Sequence, residues 1–134
     1  MATRSRIGLL LGDDCVVSVY HHWDGYPTWL GVHLRRNYTT KAQIAELLDG
    51  GDISCIESDR DWNHETVEPH VQYYNDRGED TEPRLDLSVD QYLVDGEEYA
   101  YLFEHNEWVC YDLRYDEPQI VDIPLAVLTK EVKS

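Results

Sequence analysis

The sequence predicts an α+β fold: an antiparallel sheet of about four to six strands with two or three short helices packed against it. Two hairpin signals and two helix-capping boxes carry that prediction. The first hairpin is written in Ile7-Gly-Leu-Leu-Leu11 and Cys15-Val-Val-Ser-Val-Tyr20, apolar β-rich runs on either side of the turn-forming Gly12-Asp13-Asp14. Asp24-Gly25-Tyr26-Pro27 then reads as a sharp turn, since glycine permits positive φ and proline fixes its own φ at a helix opening. A helix from about Thr28 to Asn37 follows.

Thr40-Lys-Ala-Gln43 matches a capping box, in which the threonine hydroxyl accepts from the third backbone N–H and the glutamine reaches back to the cap. Ile44, Leu47 and Leu48 supply the buried stripe, and Gly50-Gly51 ends this helix. Asp52 to Ser58 reads as a short strand or bend, and Asp59 to Glu68 as a loop despite Trp62. Val71 to Tyr74 reads as a strand, followed by a turn-rich loop from Asn75 to Pro83. Ser88-Val-Asp-Gln91 repeats the capping box and opens a short helix through Leu93. Residues 98–103 and 107–112 flank His105-Asn106 as the second hairpin, with Tyr99, Tyr101 and Phe103 on one face. The apolar run from Ile120 to Leu128 fits either a last strand or a short helix after Pro124.

With 134 residues, 42% of them apolar, the chain is long enough to bury one core, so residues 1–134 are expected to form a single acidic domain with the tail from about residue 129 frayed. Cys15, Cys55 and Cys110 are odd in number and lack a Cys-x-x-Cys spacing, so buried free thiols are expected rather than disulfides or a zinc knuckle. No apolar stretch approaches a membrane span and the N-terminal apolar run is short for a signal peptide, which predicts a cytoplasmic protein.

Charge is the strongest compositional signal. The chain carries 11 basic and 27 acidic residues, a net charge of -16. The first fifty residues hold five of each, so the remainder carries the whole excess. Such a field repels nucleic acid and anionic membranes, which argues against direct binding to either, and attracts basic partners. Disorder fits poorly, because the acidic part also contains ten of the fifteen aromatic residues.

The stretch His22-Trp23-Asp24-Gly25-Tyr26-Pro27, with Gly31, Leu34, Tyr38, Gly51-Asp52-Ile53-Ser54, and Tyr74 with Asp76-Arg77-Gly78-Glu79, resembles a family of small uncharacterised proteins of tailed bacteriophages. The resemblance spans roughly residues 6 to 112. It implies an accessory protein made inside a bacterial host, in the host cytoplasm, and it brings no activity to particular residues.

His21, His22 and Asp24 are good ligand types for zinc or iron, but adjacent histidines on a strand point to opposite faces. A metal site there would need His33, His64, His70 or a distant carboxylate brought close by folding. The sequence therefore predicts a protein that folds without metal or cofactor. Trp23, Tyr26 and Trp29 suit either stacking on a ligand or closing the core where strand meets helix, and the second is favoured. Arg77 suits either a two-armed grip on phosphate or an internal ion pair. Serine-hydrolase, phosphate-loop and zinc-protease signatures are missing, and no catalytic residue is assigned. Glu131-Val132-Lys133 after Asp116 or Asp122 faintly echoes a nuclease arrangement and is set aside as a frayed terminus.

Two functional classes remain. The favoured one is a binding protein whose acidic surface engages a basic face of a host protein, as a nucleic-acid mimic or a counter-defence inhibitor. Its expected partner-binding residues are Asp76, Glu79, Asp80, Glu97, Glu98, Glu104, Glu107, Asp112, Asp116 and Glu117. The alternative is a nucleotide-binding protein or hydrolase with a pocket formed by His22, Trp23, Asp24, Tyr26, Arg77 and Glu79.

Overall fold

The computed structural model describes residues 2–124. The chain is α+β, and its centre is one mixed sheet of eight strands: β1 (Ser5–Leu10), β2 (Val16–His21), β3 (Ile53–Arg60), β4 (Thr66–Tyr73), β5 (Arg84–Asp86), β6 (Tyr99–Glu104), β7 (Glu107–Asp112) and β8 (Gln119–Val121). The order across the sheet is β4-β3-β2-β1-β6-β7-β8, and β5 lies beside the start of β2. Both predicted hairpins form, β1 with β2 and β6 with β7, in continuous antiparallel register.

The sheet is larger than the predicted four to six strands and is not purely antiparallel. β6 runs parallel to β1, from Ser5 opposite Tyr99 to Leu9 opposite Phe103. β3 meets β2 in parallel at His21 and Ile53. Parallel neighbours need a crossover of a dozen or more residues, and the helices between β2 and β3 provide one. Short-range turn chemistry does not reveal such a pairing. The expected loop from Asp59 to Glu68 is a loop only at residues 61–65, with strand on either side. Asp61 makes the tight turn between β3 and β4, its Oδ1 accepting the N–H groups of Asn63 (2.8 Å) and Glu65 (2.9 Å).

The helical layer follows the sequence more closely. A π-helical turn, Pro27–Gly31, runs directly into α1 (Val32–Asn37). Helix α2 (Lys41–Asp49) has the full capping box: Thr40 Oγ1 accepts from Gln43 N–H at 3.2 Å, and Gln43 Oε1 accepts from Thr40 N–H at 3.2 Å. Gly51 follows it with φ +88°, the left-handed conformation that suits glycine. Helix α3 (Val89–Val94) is capped by Ser88, but Gln91 reaches back to the N–H of Leu87 instead of the cap.

Two cores lie on opposite faces of the sheet. Under α1 and α2, Ile7, Leu9 and Val19 meet Leu30, Leu34, Ile44 and Leu48, together with Tyr99, Tyr101 and Phe103, as strand alternation predicts. Under α3 a smaller cluster joins Tyr92 to Val16, Ala100 and Leu102. Of the three thiols only Cys110 is fully buried; Cys15 and Cys55 are half-buried, because each sits where a strand begins or bulges. Residues 119–121 settle the first part of the Ile120–Leu128 run as strand. Residues 125–128, the tail from about 129 and the Glu131-Val132-Lys133 echo lie outside the described residues. Among the described residues no helix is long and apolar enough to cross a membrane.

Candidate functional site

The turn after β2 is built around two histidines with opposite fates. His21 is fully buried. Its Nε2 accepts the N–H of Ile56 at 3.3 Å, so in the neutral ring Nδ1 carries the proton and faces Ser5 Oγ at 3.4 Å. Burial, reinforced by His22, pushes its pKa down to about 3. His22 projects to the other face, with its Nδ1 2.6 Å from the Tyr20 hydroxyl and its ring edge-on to Trp23 at 4.7 Å. Burial and then Arg4 lower its pKa, while burial and then Glu97 push that of Tyr20 up to about 12. A neutral His22 accepting from a neutral Tyr20 follows.

The turn itself departs from expectation. Its positive φ falls on Asp24 (59°), and glycine at position 25 serves close approach instead. A Cβ there would lie 2.5 Å from Ser5 Oγ and 2.6 Å from the carbonyl of Thr3, which accepts the Gly25 N–H at 2.8 Å. Tyr26 packs against the main core, and Trp29 reaches the carbonyl of Ile56 at 3.4 Å and stacks edge-on upon His33 at 4.4 Å. Trp23 is 45% exposed, so of the three aromatics Tyr26 packs on the core, Trp29 is half-buried against His33, and Trp23 faces outward.

His21, His22 and Asp24 do not converge. His64 and His70 are exposed, and His33 lies beside Trp29. Among the described residues no group of three or more His, Cys, Asp or Glu side chains is arranged to hold a metal ion.

The His22 turn and the Asp76–Asp80 loop do approach each other, through Tyr74. His22 lies 6.5 Å from the Tyr74 ring, edge-on to it, and Arg77 sits over the same ring at 5.2 Å. Arg77 also covers Trp62 at 4.5 Å and donates through Nε to Glu79 Oε2 at 2.8 Å, with Nη2 paired to the same oxygen. The internal ion pair therefore occupies Arg77 in this structure. The arrangement is a surface strip of edge-on and tilted rings; clefts of about 700, 620 and 360 Å³ lie at other places on the molecule.

The ten acidic residues expected at a partner surface fall into separate groups. Asp76, Glu79 and Asp80 are exposed on the loop after β4. Glu104 and Glu107 flank the tip of the β6–β7 hairpin, where His105 (φ 51°) and Asn106 (φ 66°) make the turn. Glu97, Glu98, Asp116 and Glu117 gather at the other end of the same hairpin, the length of a six-residue strand away, about 17–20 Å. Asp112 is corrected: it is 4% exposed and held by Arg114, because alternation turns it toward the core side of β7. It belongs to the fold and not to the surface.

The register of β6 and β7 makes that last group. Tyr99 lies opposite Asp112, and the N–H of Leu113 donates to the carbonyl of Glu98 at 2.9 Å, so residues 95–98 enter and residues 113–117 leave the hairpin at the same end. Arg4 lies 4.0 Å from both Glu97 and Glu98, and its backbone N–H donates to Glu98 at 2.9 Å. Sequence reasoning missed two acids here, Asp90 and Asp95, and an apolar cleft of about 360 Å³ between α3 and the Leu113–Pro118 segment. The available signal was Val94, an apolar residue directly before Asp95-Gly96, outside the stripe that buries Tyr92.

Compared with family models, with curated proteins and with solved structures, the chain matches none.

Proposed function

We propose that this chain is a binding protein, of the accessory kind tailed phages make inside a bacterial host, and that it occupies a basic face of a host protein. The observation that carries the reading is that residues 95–98 lead into β6 and residues 113–117 follow β7, so Asp95, Glu97, Glu98, Asp116 and Glu117 all lie at one end of that hairpin. The nearby arginines leave much of that charge standing. Arg4 is spread over two glutamates, and Arg114 is taken by the buried Asp112. Occupying a site meant for a polyanion, or blocking the basic face of a host defence protein, is the action this charge suits best. The phage assignment rests on the His22–Pro27 and Asp76–Glu79 motifs.

A nucleotide pocket between the His22 turn and the Asp76–Asp80 loop draws less support, since Arg77 is engaged by Glu79 and two rings. Capture from host lysate by the tagged protein should yield a partner that is lost as salt rises past about 0.1 M, where the Debye length is about 10 Å. A variant with Glu97, Glu98, Asp116 and Glu117 all changed to lysine should fail to capture it. A partner retained by that variant, and indifferent to salt, rules the proposal out.

A further inference from the structure

We propose that the cleft between α3 and the Leu113–Pro118 segment receives a basic amphipathic stretch of a protein partner: one bulky apolar anchor flanked by lysines or arginines. This rests on the acidic-surface reading above and names what that surface recognises. Leu93 and Leu113 are half-buried against the smaller core, which fixes the floor of the cleft. Val94 and Tyr115, 81% and 62% exposed, stand at its mouth. Exposed apolar side chains gathered around a hollow mark an interaction site more often than singly scattered ones do.

Charge selects the occupant. Asp90 and Asp116 both line the cleft, with Asp95 next to Val94 and Glu117 next to Asp116 in the chain. The two arginines nearby are committed to buried acids, Arg114 to Asp112 and Arg84 to Asp86. Arg84 also donates to the carbonyl of Asp95. An apolar floor with an acidic rim repels nucleic acid and repels a second copy of this chain, which would bring acid against acid at -16 per copy. A cationic segment with an apolar anchor satisfies floor and rim together, with the anchor giving affinity and the flanking charges giving orientation and rate.

Two fluorescent peptides test this. One carries Leu-Trp-Leu between two runs of four lysines; in the other the three central residues are serine. Anisotropy titration at about 0.1 M salt should show the apolar peptide binding at least about tenfold more tightly, the worth of burying one or two apolar side chains. Val94→Ser with Tyr115→Ser should erase that preference while leaving the serine peptide's affinity and the melting temperature unchanged. Both positions are exposed, so the fold is not at stake. Equal binding of the two peptides, weakened by salt, would overturn the cleft and leave the acidic surface standing. Binding of neither would overturn both. A dimer in sedimentation that Val94→Ser dissociates would assign the cleft to a second copy, and that too would overturn the proposal.

Discussion

Arg114 closes a two-armed hydrogen bond on the buried carboxylate of Asp112, Nε 2.9 Å from Oδ1 and Nη2 2.8 Å from Oδ2, while its backbone N–H reaches Oδ1 at 3.1 Å. The guanidinium lies over the Tyr99 ring at 5.0 Å, so two residues past the end of β7 the chain is tied back to the start of β6. The bonds from Arg114 hold the Asp112 carboxyl below its ordinary range. Arg114→Ala should destabilise by about 1 kcal/mol, below the roughly 1.5–3 kcal/mol of a charged hydrogen bond because half of the arginine is in water. A depressed carboxyl contributes stability above its unfolded value near pH 4 and loses it as pH falls through the lower folded value. The gap between wild type and Arg114→Ala in urea unfolding should be full at pH 6 and shrink below pH 4. A gap independent of pH would show that the ring contact, not the ion pair, is what the mutation removes.

The extent of what the sequence disclosed follows the range of the interactions involved. Thr40 with Gln43, and the β6–β7 turn at His105-Asn106, are settled within a few residues, and both stand as read. The parallel pairs at Ile7 with Tyr101 and at His21 with Ile53 join segments 94 and 32 residues apart, and no local pattern encodes which strands become neighbours. The acidic character was legible from composition. Its division into three groups was not, because Glu97 and Glu104 are near in sequence but at opposite ends of one strand, and alternation sends Asp112 inward. Tyr74, the link between the two motifs of the ligand reading, gave no sign of that role.

His21 should make the protein sensitive to mild acid. Its folded pKa of about 3 lies well below the ordinary value of 6.5, since the fully buried ring must stay neutral to accept the Ile56 N–H. The unfolded chain binds the extra proton, so stability is complete above about pH 6.5 and declines as pH falls toward 3, by about 1.4 kcal/mol per pH unit while the site alone titrates. His21→Gln keeps an acceptor and cannot be protonated. Denaturant midpoints measured from pH 7 to 4.5 should fall more steeply for wild type than for His21→Gln, whose remaining decline comes from His22 and His33, also lowered by burial; parallel curves would mean that another group governs the decline.

Gly8 and Tyr92 should be interdependent. A Cβ on Gly8 would sit 2.8 Å from the Tyr92 ring, whose hydroxyl donates to the carbonyl of Tyr101 at 2.6 Å. The bare strand at residue 8 is what lets α3 lie this close to the sheet. Gly8→Ala should cost about 1–3 kcal/mol through overpacking, and Tyr92→Phe about 1–2 kcal/mol through the lost buried hydrogen bond. In Tyr92→Ala the Gly8→Ala penalty should largely disappear, since the ring it strikes is gone. Additive losses in this double-mutant cycle would place the strain at Gly8 elsewhere, with Val16 at 3.0 Å the next neighbour to test.

The acidic end should also carry a stability cost, which the proposed binding role entails. Asp95, Glu97, Glu98, Asp116 and Glu117 lie at the same end of the β6–β7 hairpin, where Leu113 bonds to Glu98, against the partial compensation of Arg4. Like charges held close raise the free energy of the folded state relative to an unfolded chain in which they separate. Replacing Asp116 and Glu117 by asparagine and glutamine should therefore stabilise the protein, by a few tenths to about 1 kcal/mol at low ionic strength, with the gain shrinking as salt is added. The same variant should capture a basic partner more weakly. Stability and binding moving in opposite directions is what separates a working surface from charge carried for solubility, because solubility alone gives no reason to concentrate acids where they repel one another. Thermal melts at 20 mM and 500 mM salt, run beside peptide titrations on the same two proteins, measure both at once. A variant that loses stability, or gains it with no loss of binding, would show that these carboxylates are held for the fold rather than for a partner.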